Sequence, residues 1–161
     1  MRVAVVGTVA SSIFGFRLPF IKRLLKDGAT VYAFALDFTE EQKEELIELG
    51  VQPVGYTMSR SSLNPISAYK SILELAGLLR KFQIDIYFGY FLKPVLFGGM
   101  AAYLAKVPRR IGMIEGLGQI FTDSPMGATF KQRLLRTVFG LQFKYVAKTL
   151  DKVIVLNDDD K

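Results

Sequence analysis

MRVAVVGTVASSIFGFR, residues 1–17 of the chain, is the stretch that decides the fold. A valine-rich run ends at Gly7 and Thr8, and small and hydroxyl-bearing residues then lead into a segment of helical spacing. A charged start before apolar residues can also mark a secretory signal, but this apolar run is broken too early for one. The pattern instead predicts a buried first strand, a turn and a helix.

The same alternation continues along the rest of the chain. Runs of β-branched and aromatic residues predict strands at residues 2–6, 30–36, 52–56, 84–90, 110–114 and 152–156. Segments of helical spacing predict helices at residues 17–26, 40–49, 66–82, 95–105 and 126–149. Strands that alternate with helices form parallel sheets, so we expect an α/β fold. It would be a Rossmann-like parallel sheet of about six strands with helices on both faces.

Several predicted boundaries carry recognisable signals. Thr39 begins a capping-box pattern, while Gly28 and Gly50 are typical of helix ends. Near the end of the chain Asn157 precedes three aspartates, a pattern that favours the start of another helix. We therefore expect residues 1–161 to form a single domain, with a further C-terminal domain after it.

Composition narrows the chemistry. The chain has 161 residues, 50% of them hydrophobic, which is enough to bury a sizeable core. It contains no cysteine and no histidine, which removes disulfides, thiolate metal sites and the most common general base. We expect no metal site. The formal charge of +6 favours anionic partners such as nucleotide phosphates, a lipid diphosphate, nucleic acid or an anionic membrane surface, and charge alone does not choose among them.

The turn after the first strand is the first candidate site. Its candidate binding residues are Gly7, Thr8, Ser11, Ser12 and Arg17. In open α/β sheets ligands bind at the carboxyl edge, where a helix N-terminus offers unpaired N–H groups to a phosphate. The dinucleotide fingerprint and the P-loop are both absent, which disfavours NAD and ATP. An ordinary tight turn explains this segment equally well.

Two more loops follow predicted strands at the same edge. Arg60 offers a planar donor fork suited to phosphate, and Asn64 lies among hydroxyl residues that suit sugar oxygens, although a solvated loop with a capping Asn64 is the simpler explanation. Tyr90 and Lys93 follow the fourth strand. Lys93 is either a cation facing the cleft or a surface lysine, and its place at the predicted edge favours the cleft.

A fourth loop combines a carboxylate with glycines. Glu115 directly follows the fifth strand, and Gly116, Gly118 and Thr122 come next. Glycines let a substrate approach the backbone closely, and a carboxylate can accept a hydrogen bond or a proton from a sugar hydroxyl. A lone glutamate at a strand end is usually structural, but four such loops at one edge together favour a binding site.

These loops carry a family resemblance. The chain resembles family-4-like glycosyltransferases in its opening, with the spacing Ser12…Phe16-Arg17 and Gly28-x-x-Val31. It is similar to the subgroup acting on lipid-linked oligosaccharides at Arg60…Asn64-Pro65, Lys81…Ile84-Asp85-Ile86, Lys93-Pro94, the stretch 98–108, Gly116-Leu117-Gly118…Phe121-Thr122 and Asn157-x-Asp159. The resemblance spans essentially the whole chain.

The resemblance implies a function. It implies the N-terminal, acceptor-side half of a GT-B enzyme that transfers a sugar, from a uridine diphosphate sugar, to a polyprenyl-diphosphate-linked or glycan acceptor during capsule or lipopolysaccharide synthesis. It implies no cofactor, no nucleic-acid partner and no turnover by this half alone, because the donor site lies mainly on the other domain. Related proteins more often have threonine at the position of Glu115, which is therefore a candidate catalytic residue only.

The predicted last helix has its own signal. It lacks acids and carries basic residues, among them Arg133, Arg136 and Lys144, beside the apolar Phe139 and Phe143. A surplus apolar face with basic flanks is typical of an interfacial membrane helix, which predicts a cytoplasmic protein peripheral to the inner face of the plasma membrane. Coverage of that face by a second domain explains the surplus equally well.

A different class of function also fits the sequence. A basic Rossmann-like module could bind a nucleotide or a protein partner without catalysis. Protein beyond residue 161 with a donor-binding motif would favour the enzyme, whereas its absence would favour the module.

Overall fold

The computed structural model describes residues 1–58, 65–115, 140 and 143–156. Its strands are β1 (Arg2–Val6), β2 (Thr30–Ala35), β3 (Gln52–Gly55), β4 (Ile86–Tyr90), β5 (Arg109–Ile114) and β6 (Lys152–Val155). Its helices are α1 (Ala10–Ser12), α2 (Leu18–Lys26), α3 (Glu40–Glu48), α4 (Pro65–Lys81) and α5 (Gly99–Leu104), with π-helical turns at Ile13–Arg17 and Pro94–Gly98. Most predicted boundaries are confirmed to within one or two residues.

The six strands form one parallel sheet. Their order is β3-β2-β1-β4-β5-β6, and every neighbouring pair is parallel. The predicted Rossmann-like α/β fold is confirmed. The strand order reverses between β1 and β4, because the chain first builds outward from β1 to β3 and then returns to the other side of β1. Such a reversal opens a crevice at the carboxyl ends of the two central strands.

Both faces of the central strands are buried, which explains their continuous apolar sequence. On one face Ala4, Val6 and Phe34 pack with α4 and α5. On the other, Val5 and Val31 pack with α1, the first π-helical turn, α2 and α3. The central strands are therefore held rigidly, and their carboxyl ends form a fixed base for the loops that follow.

The predicted helix signals hold where the structure describes them. The Thr39 side chain accepts from the Gln42 backbone, and the Gln42 side chain accepts from the Thr39 backbone, so the capping box of α3 is confirmed. Gly28 and Gly50 follow α2 and α3 with φ of +80° and +83°. This left-handed conformation favours glycine and ends both helices where predicted.

The start of the first helical segment was predicted wrongly. The sequence suggested a helix from residue 17, but helical structure begins at Ala10 and continues through the π-helical turn into α2. Ser11, Ser12 and Arg17 are therefore helical residues and not members of an open turn. The early start of the helix depends on a residue that is distant in sequence. The Ala10 backbone N–H donates to the Asp37 carboxylate at 2.7 Å, so a residue that follows β2 caps the helix.

The predicted helix at residues 126–149 lies largely outside the described residues. Of this segment, residues 143–147 are helical. No helix in the described ranges is long and apolar enough to cross a membrane.

Candidate active site

The candidate site lies where β1, β4 and β5 end. Gly7 follows β1, Tyr90 ends β4 and Glu115 follows β5. Parallel register places these three ends at one edge of the sheet, at the point where the strand order reverses. The first helical segment passes over this edge and adds Ser12 and Arg17. The structure thus brings together five predicted site residues from three separate loops of the sequence.

Tyr90 is the centre of this group. Its ring is buried, and its hydroxyl lies 2.9 Å from the Ser12 hydroxyl. Because the Ser12 hydroxyl itself donates to the Val9 carbonyl at 2.6 Å, the tyrosine is the donor to Ser12. Burial raises the pKa of Tyr90 to about 12, against the lowering effects of the Ser12 hydrogen bond and the Arg17 charge. Tyr90 is therefore a neutral hydrogen-bond donor at physiological pH.

The Tyr90 ring leaves no room for a side chain at Gly7. A Cβ at Gly7 would lie 2.1 Å from the Tyr90 hydroxyl oxygen, closer than any real contact. On the other side of the sheet edge, the buried Tyr56 hydroxyl donates to the Gly7 carbonyl at 2.8 Å. Two tyrosines therefore fix the backbone where β1 ends. Thr8 is next, partly buried, with its carbonyl accepting from the Leu36 backbone N–H.

Arg17 and Glu115 form an ion pair above Tyr90. Nη2 of the Arg17 guanidinium contacts Oε1 of the Glu115 carboxylate, and the two side chains are only 11% and 17% exposed. The guanidinium carbon lies 4.6 Å from the centroid of the Tyr90 ring, in cation–π contact. Nε of Arg17 is buried and has no hydrogen-bond acceptor among the described residues. The pair brings one charge of each sign to the sheet edge.

Asp37 is a member of the site that sequence analysis missed. Its carboxylate caps the first helical segment at Ala10 and so occupies the N-terminus at which we had expected a phosphate. A signal was present, since an acid directly after a buried strand lies at the same edge as the other loops. Ser11, one residue further, is exposed to solvent.

Lys93 lies beside the group, immediately before the second π-helical turn. It is partly buried, and this burial lowers the pKa of its ammonium group. Across the described residues, no three carboxylates lie close enough together to hold a metal ion.

Several predicted site residues lie outside the described residues. These are Arg60, Asn64, Gly116, Gly118, Thr122, Arg133, Arg136 and Phe139. Two of the residues predicted to contact the membrane are described, and they differ in their exposure to solvent. Lys144 is exposed, whereas Phe143 is half-buried against the cluster of Val95, Leu96 and Ile114. Phe143 is less exposed than predicted, because its ring packs toward the sheet, and its membrane contact stays a prediction.

Comparisons with known proteins agree on the class. Residues 2–157 match the family described as glycosyl transferase 4-like. A curated relative from Campylobacter jejuni, N,N'-diacetylbacillosaminyl-diphospho-undecaprenol alpha-1,3-N-acetylgalactosaminyltransferase, is 31% identical over 145 residues, which are 90% of this chain and 38% of that protein. The chain thus spans about two fifths of the relative's length.

Solved structures share the fold. MurG of Acinetobacter baumannii superposes with a TM-score of 0.65 at 14% identity, over 99% of this chain and 42% of that one. A glycosyltransferase of Rickettsia africae gives 0.56 at 16% identity, over 97% and 42%. HepE of Anabaena, in complex with UDP and glucose, gives 0.51 at 11% identity, over 98% and 44%. The sheet, its order and the family match support one conclusion: this chain belongs to the glycosyl transferase 4-like family.

Proposed function

We propose that this chain is the acceptor-side domain of a glycosyltransferase, which transfers a sugar from a uridine diphosphate sugar to a polyprenyl-diphosphate-linked glycan in cell-surface polysaccharide synthesis. The observation that carries the proposal is the polar group of Ser12, Arg17, Tyr90 and Glu115 at the carboxyl edge, in a chain of this family. The printed name of the Campylobacter relative includes a diphospho-undecaprenol acceptor, which supports the acceptor class.

The division of labour between domains is part of the proposal. The chain matches 38% of the length of its curated relative, so the intact enzyme would contain a second, donor-binding domain. The Asp37 carboxylate at the start of the first helix supports this, because it takes one of the N–H groups that a donor diphosphate could use. Donor contacts would then come mainly from the other domain.

The direct test is a binding comparison on this chain. A short polyprenyl-diphosphate-linked disaccharide in detergent and UDP itself would each be titrated by calorimetry. We expect measurable binding of the lipid-linked disaccharide, weak or no binding of UDP, and no sugar transfer by the chain alone. Tight UDP binding without acceptor binding would contradict the proposal and favour a nucleotide-binding module.

The first helical segment also supports peripheral membrane contact, which a lipid-linked acceptor would require. Phe16 and Phe20 lie one turn apart and are 67% and 38% exposed. Lys22 and Lys26 are exposed on the adjoining part of the same helix. Exposed aromatic rings beside basic side chains are typical of helices that lie at a bilayer surface. This face adjoins Arg17, so it would deliver a lipid-linked substrate to the candidate site.

Vesicle co-sedimentation tests the membrane contact. Near an anionic bilayer a basic residue contributes about 1 kcal/mol, so Lys22→Glu/Lys26→Glu should weaken binding to anionic vesicles by about tenfold or more at low salt. The matched control is Lys106→Glu/Lys152→Glu, which makes the same charge change at exposed positions beside β5 and β6, away from α2. Arg133→Glu/Arg136→Glu measures the contribution of the last predicted helix. The assignment of the membrane contact to this helix would be contradicted if the control variant lost as much vesicle binding. It would also be contradicted if binding did not depend on salt or on lipid charge.

A further inference from the structure

The Arg17–Glu115 pair raises the question of which part of an acceptor it would contact. A lipid-linked saccharide offers two chemically different parts, a diphosphate with several negative charges and a neutral sugar with several hydroxyl groups. An isolated arginine at a sheet edge would suit the diphosphate. From the pairing described above we propose that Arg17 and Glu115 instead bind hydroxyl groups of the neutral sugar. The inference rests on the proposed function and specifies the substrate class of the same site.

Charge is the first reason. The guanidinium of Arg17 is already matched by the Glu115 carboxylate in a mostly buried position, so the pair has no net charge. A diphosphate placed against Arg17 would also lie against Glu115, and like charges in partly buried surroundings repel strongly. Neutral hydroxyl groups meet no such repulsion.

The first helix gives a second, independent reason. The N–H of Ala10, the first residue of the helical segment, already donates to the Asp37 carboxylate and is therefore not available to a phosphate. The arginine and the first N–H of the helix are therefore both engaged by carboxylates of the chain itself.

The remaining polar atoms match a sugar. A hydroxyl group both donates and accepts, so an adjacent guanidinium and carboxylate can each bind one. The ion pair joins Nη2 to Oε1, and each side chain has a further polar atom, Nη1 on Arg17 and Oε2 on Glu115. Nε and Nη2 of Arg17 are buried, so Nη1 is the nitrogen of the guanidinium left to donate to a sugar hydroxyl. Contact with the Tyr90 ring fixes the guanidinium plane.

The experiment separates the two parts of the acceptor. The unmodified chain would be titrated with methyl glycosides of N-acetylhexosamines and, separately, with inorganic pyrophosphate, while NMR follows the Arg17 side-chain Nε–H and the backbone amides of Ser12 and Glu115. We expect a glycoside to shift these signals at millimolar concentration and excess pyrophosphate not to reverse the shift. The inference would be overturned if pyrophosphate shifted the same signals, or if none of the glycosides shifted them.

Variants add a second measurement. Glu115→Gln should weaken glycoside binding about tenfold or more, because it removes a charged acceptor from the sugar hydroxyls. The matched control is Asp27→Asn, which takes the carboxylate partner from Arg23 in an exposed pair. Glycoside binding unaffected by Glu115→Gln, with the fold intact by circular dichroism, would also overturn the inference. If the unmodified chain binds the lipid-linked disaccharide but shows neither the glycoside shifts nor the effect of Glu115→Gln, the inference alone is rejected. If the unmodified chain does not bind the lipid-linked disaccharide, the proposed function is rejected.

Discussion

Gly7→Ala should lower the free energy of unfolding by about 3 kcal/mol, at the upper end of the cost of overpacking a core. The new methyl group would lie 2.1 Å from the Tyr90 hydroxyl oxygen and 2.3 Å from the ring carbon that bears it, so the ring must move. That movement would also break the hydrogen bond to Ser12 and disturb the surface beneath Arg17. In a domain of this size the melting temperature should fall by about 10 °C.

Gly15→Ala is the matched control for this change. A Cβ at Gly15 meets nothing within 4 Å, and the residue lies in the π-helical turn. Alanine is favoured over glycine in helical structure by up to about 1 kcal/mol, so this variant should be neutral or slightly more stable. Chemical denaturation measures the free energy of unfolding of both variants. In a Tyr90→Ala background the destabilisation caused by Gly7→Ala should largely disappear. Equal stability of the two single variants would contradict the packing argument.

Arg17→Met should cost about 3 kcal/mol of folding free energy, because it leaves the Glu115 carboxylate mostly buried without its partner. The side chains are 11% and 17% exposed, so solvent can compensate for little of that loss. Replacing both residues, as Arg17→Met/Glu115→Gln, should restore most of the stability, since no unpaired charge remains. The measurement is a double-mutant cycle by chemical denaturation.

An exposed pair provides the comparison for this cycle. Arg23 and Asp27 are 73% and 52% exposed and lie one turn apart on and just after α2. Exposed ion pairs contribute at most about 1 kcal/mol, so Arg23→Met should have little effect. A coupling energy between Arg17 and Glu115 as small as that of the exposed pair would show that burial does not strengthen the contact.

The fold could be read from the sequence because its signals are local. Apolar strand runs, the capping box at Thr39 and the glycines that end two helices each act within a few residues of chain. Parallel pairing then follows from the alternation of strands and helices. The carboxyl edge was therefore predictable as the place of the site, and so were most residues brought to it.

The internal arrangement of the site could not be read in the same way. The helix start at Ala10 depends on Asp37, and the glycine at residue 7 depends on Tyr90. Arg17, at the end of the π-helical turn, contacts Glu115 after the fifth strand. Each of these contacts joins segments that are distant in sequence, and periodicity carries no information about them. The partial burial of Phe143 was not predictable for the same reason, since only tertiary packing decides which side of a helix is covered.

The ion pair also has a consequence for inheritance. Its two members are encoded in different parts of the gene, one in the first helical segment and one after the fifth strand. A recombination event between them, natural or made in the laboratory, would join an arginine from one parent to whatever residue the other parent has at position 115. Chimeric proteins made from two relatives should therefore be most stable when the segments that carry Arg17 and Glu115 come from the same parent.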